Sequence, residues 1–62
     1  MIIRAIFIGA HGSMGYSKGS YYRLRIERNT IYPIGNDQAR PCPYTLEGFL
    51  ANWEIKEVEQ LP

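Results

Sequence analysis

Apolar residues recur along this chain with two different periods. Between Thr45 and Trp53 the large ones are Leu46, Phe49, Leu50 and Trp53. That is the i, i+3, i+4, i+7 spacing of one helix face. Glu47 and Asn52 fall on the other side. Thr45 can cap the first turn, and Pro43 keeps a helix from starting sooner. The spacing predicts a helix over about 45–53 whose apolar face covers a small sheet.

Elsewhere the period is two. Ile2 to Ile8 reads as a first strand, with Ile3, Ala5 and Phe7 on one face and Ile2, Arg4, Ile6 and Ile8 on the other. Both faces are mostly apolar, which predicts a strand covered on both sides. Gly9 to Gly19 holds four glycines and reads as a loop with several positive-φ positions. Ser20 to Arg28 alternates most clearly: Tyr22, Leu24 and Ile26 face inward, and Tyr21, Arg23, Arg25 and Glu27 face water. Arg28-Asn29-Thr30 is a tight turn, with Asn29 suited to the left-handed region. Ile31 to Ile34 is a third strand, placed at an edge or a bulge by Pro33. After a turn at Gly35-Asn36-Asp37, a short fourth strand is expected over Ala39 to Cys42. A last one is expected over Glu54 to Glu59, with Ile55 and Val58 as its apolar positions.

The predicted class is therefore small β or α+β. The order of elements matches an SH3-like barrel of about five antiparallel strands, with one short helix before the last strand. A free antiparallel meander with a packed helix is the alternative. Sixty-two residues make a single domain, 1–62, whose core supplies no more than about 3–5 kcal/mol of net stability. Cys42 is the only cysteine, which leaves no disulfide framework and no metal site and fits a reducing, cytoplasmic compartment. The apolar start of the chain is interrupted by Arg4 and is too short to span a membrane.

A formal net charge of +1 generates no strong field for nucleic acid. The distribution is uneven, however. Residues 1–30 hold Arg4, Lys18, Arg23, Arg25 and Arg28 against Glu27, a balance of +4. Residues 31–62 hold Arg40 and Lys56 against Asp37, Glu47, Glu54, Glu57 and Glu59, a balance of −3. Such a chain is suited to docking on a charged partner or on a copy of itself as a homodimer.

Gly12-Ser13-Met14-Gly15-Tyr16, Lys18-Gly19, Tyr22, Cys42-Pro43-Tyr44, Leu46, Phe49, Leu50 and Asn52-Trp53 together span most of the chain. In these residues the chain resembles a group of short proteins encoded in bacteriophages and prophages, chiefly of Gram-positive hosts. The resemblance implies a setting, the cytoplasm of a bacterial host, and no particular mechanism.

Chemistry-bearing residues are sparse. His11 is the single histidine and shares its loop with Ser13, with Asp37 further along. A nucleophile needs a base within hydrogen-bond reach. No strand–elbow–helix frame surrounds Ser13, so His11 reads as an exposed loop histidine and no enzyme is expected. The glycines around Ser13 lead into a strand, whereas a phosphate loop runs into a helix N-terminus. Cys42 precedes the helix, a place where a thiol can be activated, but reads as a small hydrophobe. No cofactor is implied.

Two surfaces stand out. The first is aromatic: of five tyrosines, Tyr22 is inward by parity, leaving Tyr16, Tyr21, Tyr32 and Tyr44, with Met14, for a protein-binding surface. Peptide-binding SH3 domains line a groove with such tyrosines. Their acidic loop is absent here, and Trp53 falls on the helix's core face, so a PxxP ligand is not expected. The second surface is the outward stripe of Tyr21, Arg23 and Arg25, joined by Arg4 from the neighbouring strand, which suits stacking on single-stranded nucleic acid or a solvated strand face. The leading expectation is a non-enzymatic accessory protein that binds another protein, possible targets being a host or defence factor that it inhibits. Nucleic-acid binding is the alternative.

Overall fold

A computed structural model describes residues 1–59. The chain runs β1 (Ile2–Phe7), a 3₁₀ turn (Ser13–Gly15), β2 (Tyr21–Glu27), β3 (Thr30–Pro33), β4 (Cys42–Pro43), α1 (Leu46–Asn52) and β5 (Trp53–Glu59). The strands form one antiparallel sheet in the order β4-β3-β2-β1-β5. This is the small β-rich class with a short helix before the last strand that the periodicities predicted.

Local chemistry accounts for the joints. Arg28 and Asn29 both take positive φ, 49° and 59°, which closes the β2–β3 hairpin with a turn that suits the strand twist. Thr45 caps α1 by accepting a hydrogen bond from the Gly48 amide at 3.1 Å. The helix then runs without a loop into β5, and the Asn52 carbonyl accepts from the Ile8 amide at 2.8 Å. That bond ties the end of α1 to the exit of β1.

The sheet's inner face carries the core. Ile3, Ala5 and Phe7 of β1, Leu24 of β2 and Ile31 of β3 are buried, with Tyr22, Ile26 and Tyr44 packed against them. Phe49, Trp53, Ala39 and Tyr16 complete it. At one end the core is aromatic: the Tyr16 and Trp53 rings meet edge-to-face at 4.8 Å, and Phe7 lies 5.4 Å from Tyr16 and 5.0 Å from Trp53. Tilted and edge-to-face contacts of this kind add about 0.5–1.5 kcal/mol each beyond burial.

The structure corrects three expectations. Of the helix face, only Phe49 and Trp53 are buried; Leu46 and Leu50 are 69% and 55% exposed. Seven residues make two turns, and with the helix joined directly to β5 only its i, i+4 ridge reaches the core. Second, β1 is covered on one face: Arg4 and Ile8 are exposed, and Ile2 and Ile6 half-buried. Third, β4 lies at Cys42–Pro43 rather than over Ala39 to Cys42, because its pairing is with Thr30 and Ile31. On the edge strand β5, Ile55 and Val58 stand opposite Ala5 and Ile3 in the register and are 44% and 52% exposed.

Candidate functional site

The loop between β1 and β2 positions the first half of the site. Gly12, Met14 and Gly15 take positive φ of 85°, 53° and 85°. Glycine does so freely, and methionine does not. At Gly15 a side chain would also collide with the Gln38 carbonyl. The turn closes on itself: the Gly12 amide donates to the Tyr16 carbonyl at 2.7 Å, and the Tyr16 amide to the Ser13 carbonyl at 2.9 Å. This path leaves Met14 48% exposed and drops Tyr16 into the core at 3% exposure. Tyr16 was expected on a docking surface; the reversal of the loop buries it instead.

The second half comes from the segment that enters α1. Between it and the loop lies a cleft of about 250 Å³. Phe7, Tyr16, Phe49 and Trp53 line it from the core side, and Met14, Cys42 and Tyr44 from the loop and the pre-helix segment. None of its lining residues carries a charge. Tyr44 is half-buried, its ring 5.4 Å from Phe49. The Cys42 thiol, half-buried, donates to the Pro43 carbonyl at 3.2 Å.

Tyr16 has one unusual property. Its hydroxyl oxygen is closed off from solvent and has no hydrogen-bond partner among the described residues. Burial, with smaller contributions from Cys42 and Tyr22, raises its pKa from the usual 10.0 to about 12. The neighbouring Tyr22 hydroxyl, by contrast, accepts from the Ser17 amide at 2.7 Å.

Tyr21 and Tyr32 lie elsewhere, on the outer face of the sheet. There Tyr21 is 64% exposed, and Tyr32 lies under the Arg25 guanidinium at 4.7 Å. The aromatic candidates thus divide: Met14, Tyr16 and Tyr44 meet at the cleft, and Tyr21 and Tyr32 do not join them. Sequence reasoning missed Phe49, Trp53 and Pro43 as cleft residues. The Pro41-Cys42-Pro43-Tyr44 run was the available signal, since two prolines hold that segment extended beside the loop.

The outer face also carries the arginine stripe. Arg4 and Arg23 stand opposite one another in the β1–β2 register. With Tyr21 and Lys56 they border an open concavity of about 580 Å³. Each cation there has a carboxylate. Arg23 reaches across to Glu59 with two bonds of 2.7 and 2.8 Å, Arg4 lies 3.8 Å from Glu57, and Lys56 2.8 Å from Glu54. Arg25 lies 3.7 Å from Glu27. The Glu59 carboxyl is held below its ordinary range by the Arg23 bond, and Arg23 and Lys56 are raised by their partners.

His11, Ser13 and Asp37 form no relay. His11 Nδ1 accepts from the Lys18 amide at 3.2 Å, and Ser13 lies in the 3₁₀ turn. Among the described residues no three His, Cys, Asp or Glu side chains group to hold a metal ion, and no helix is long and apolar enough to cross a membrane. No family model, curated protein or solved structure matches the chain.

Proposed function

We propose that this domain is a non-enzymatic, SH3-like binding module, an accessory protein of phage or prophage setting that acts in the bacterial cytoplasm by docking on another protein. Its site is the cleft between the β1–β2 loop and the segment entering α1, and inhibition of a host or defence factor by occlusion is the mode of action that such docking permits. The observation that carries this reading is Met14: a large apolar side chain, half exposed, held at a φ of 53° on the lip of an uncharged aromatic cleft. Left-handed backbone at a residue other than glycine is costly and clusters at functional loops. Exposed methionine beside aromatics is a common protein-docking surface. The test is capture from bacterial lysate by the wild-type domain and by Met14→Ser, with both melting points measured. A protein retained by the first and lost from the second, at equal stability, supports the reading. Equal retention removes the cleft as the site.

A second reading, binding of single-stranded nucleic acid, has one observation in its favour: Arg4, Tyr21 and Arg23 are gathered around one concavity. The carboxylates on β5 weigh against it, because each arginine would have to exchange a protein partner for a phosphate. Titration with single-stranded DNA and RNA at two salt concentrations decides. Phosphate contacts give binding that falls steeply with salt, and Arg23→Ser with Arg25→Ser would flatten that slope by about two contacts. The expected result is no salt-dependent binding.

A further inference from the structure

We propose that this domain associates with a second copy of itself by pairing the free edges of β5 antiparallel, about a two-fold axis at Ile55. The sheet ends at β5, and no strand lies beyond it among the described residues. The N–H and C=O groups on that side are a template for another strand. The opposite edge cannot serve in the same way. There β4 is two residues long, and one of them, Pro43, has no N–H to donate.

The faces of β5 follow from its register with β1. Ile55 stands opposite Ala5, which is fully buried, so Ile55 belongs to the inner face. Glu54 stands opposite Ile6 and belongs to the outer face. Lys56 has no partner on β1: the register shifts there, and Glu57 is the residue opposite Arg4. The Lys56 ammonium reaches Glu54 at 2.8 Å and borders the outer concavity, so Lys56 is outward as well.

Paired residues share a face and successive residues alternate, so a two-fold axis through an antiparallel pair crosses it at one residue and its own copy. Charge then selects the residue. An axis at Glu54, Lys56, Glu57 or Glu59 sets a charge directly against itself. At Val58 it sets Glu57 against the partner's Glu59, twice. At Trp53 half of the ladder would have to come from α1, which joins that residue directly. At Ile55 the axis sets Glu54 against the partner's Lys56, twice, and covers Ile55, 44% exposed in a single copy, with the partner's Ile55. Opposite charges and β-branched pairs placed this way stabilise a sheet, and like charges destabilise it. The register shift after Lys56 keeps the ladder short. Once both β5 edges are used, the two β4 edges remain, so assembly stops at the dimer.

The experiment is sedimentation of the whole chain over a range of concentrations, for wild type, Glu54→Lys, Lys56→Glu and an equimolar mixture of the two variants. Both positions are exposed, and the fluorescence of the buried Trp53 reports that each variant is folded. The expected result is a concentration-dependent dimer of wild type. Each variant alone should raise the dissociation constant by about tenfold or more. The mixture should regain the dimer, because it again sets opposite charges against each other at both positions. The register is read separately in a Cys42→Ser background, where Ile55→Cys should cross-link to its copy on oxidation and Val58→Cys should not. Wild type that stays monomeric at every concentration overturns the proposal. A dimer that survives both charge changes, or a mixture that fails to regain it, overturns it too. A cross-link through Val58→Cys in place of Ile55→Cys overturns the register. If a charge variant fails to fold, the cross-linking pair decides alone.

Discussion

Tyr16 shows how far a single position can depart from its local sequence. It follows four residues with no period, so nothing in the spacing marks it as a core residue. Its burial is a product of Gly12, Met14 and Gly15 turning the backbone left-handed and of Gly15 packing against the Gln38 carbonyl. Those glycines were readable as turn formers; the direction in which the turn would throw the next side chain was not. The raised pKa has a measurable consequence. Below pH 10 the phenol is protonated in both folded and unfolded chains, and its contribution to stability is constant. Between pH 10 and about 12 the unfolded chain loses that proton while the folded one keeps it, so stability falls as pH rises. Denaturant melts over this window should decline less steeply for Tyr16→Phe than for wild type. Parallel declines would show that Tyr16 titrates normally in the folded protein.

At the scale of elements, the strands and the helix were legible where a period or a turn residue marked them. β2 alternates through Leu24, with Tyr22 and Ile26 flanking it, and the Thr45 cap marks the start of α1. The helix face was legible only in part, because a heptad pattern says which residues share a face and not how much of that face a neighbour covers. Phe49 is 4% exposed, and Leu46 and Leu50 are mostly in solvent. A paired substitution makes the distinction. Phe49→Ala should cost about 3–5 kcal/mol, as much as the whole net stability of a chain this size, and leave the protein largely unfolded at 25 °C. Leu46→Ser with Leu50→Ser should shift stability by less than about 1 kcal/mol, as read by thermal melting. Comparable losses in the two would mean that the whole stripe is buried in solution. The fourth strand was misplaced for a different reason: two residues cannot show a period, and Pro41 and Pro43 blur the rest.

Across the whole molecule, the unequal charge of the two halves finds its explanation. β2 and β1 present Arg23 and Arg4, and β5, returning beside β1, presents Glu59 and Glu57. The basic N-terminal half and the acidic C-terminal half meet on one outer face, so part of the imbalance is answered within the fold by the Arg4–Glu57 and Arg23–Glu59 pairs. These pairs are exposed and contribute little to stability; their effect is to leave the outer face without a strong potential of either sign. Linear charge counting cannot see this, because it depends on β5 pairing with β1 rather than with β4. What remains unanswered within the fold is the opposite kind of surface, the small uncharged cleft with Met14 on its lip.

That cleft is tested most directly by one paired measurement: thermal melting and partner titration of wild type and Met14→Ser on the same samples, with the protein captured from lysate as partner. Met14 is half exposed and lines the cleft. The expected result is a loss of about 2 kcal/mol in binding with stability altered by less than about 1 kcal/mol. Unchanged binding, or an early melt that accounts for the loss, would contradict the assignment of the cleft as the docking site.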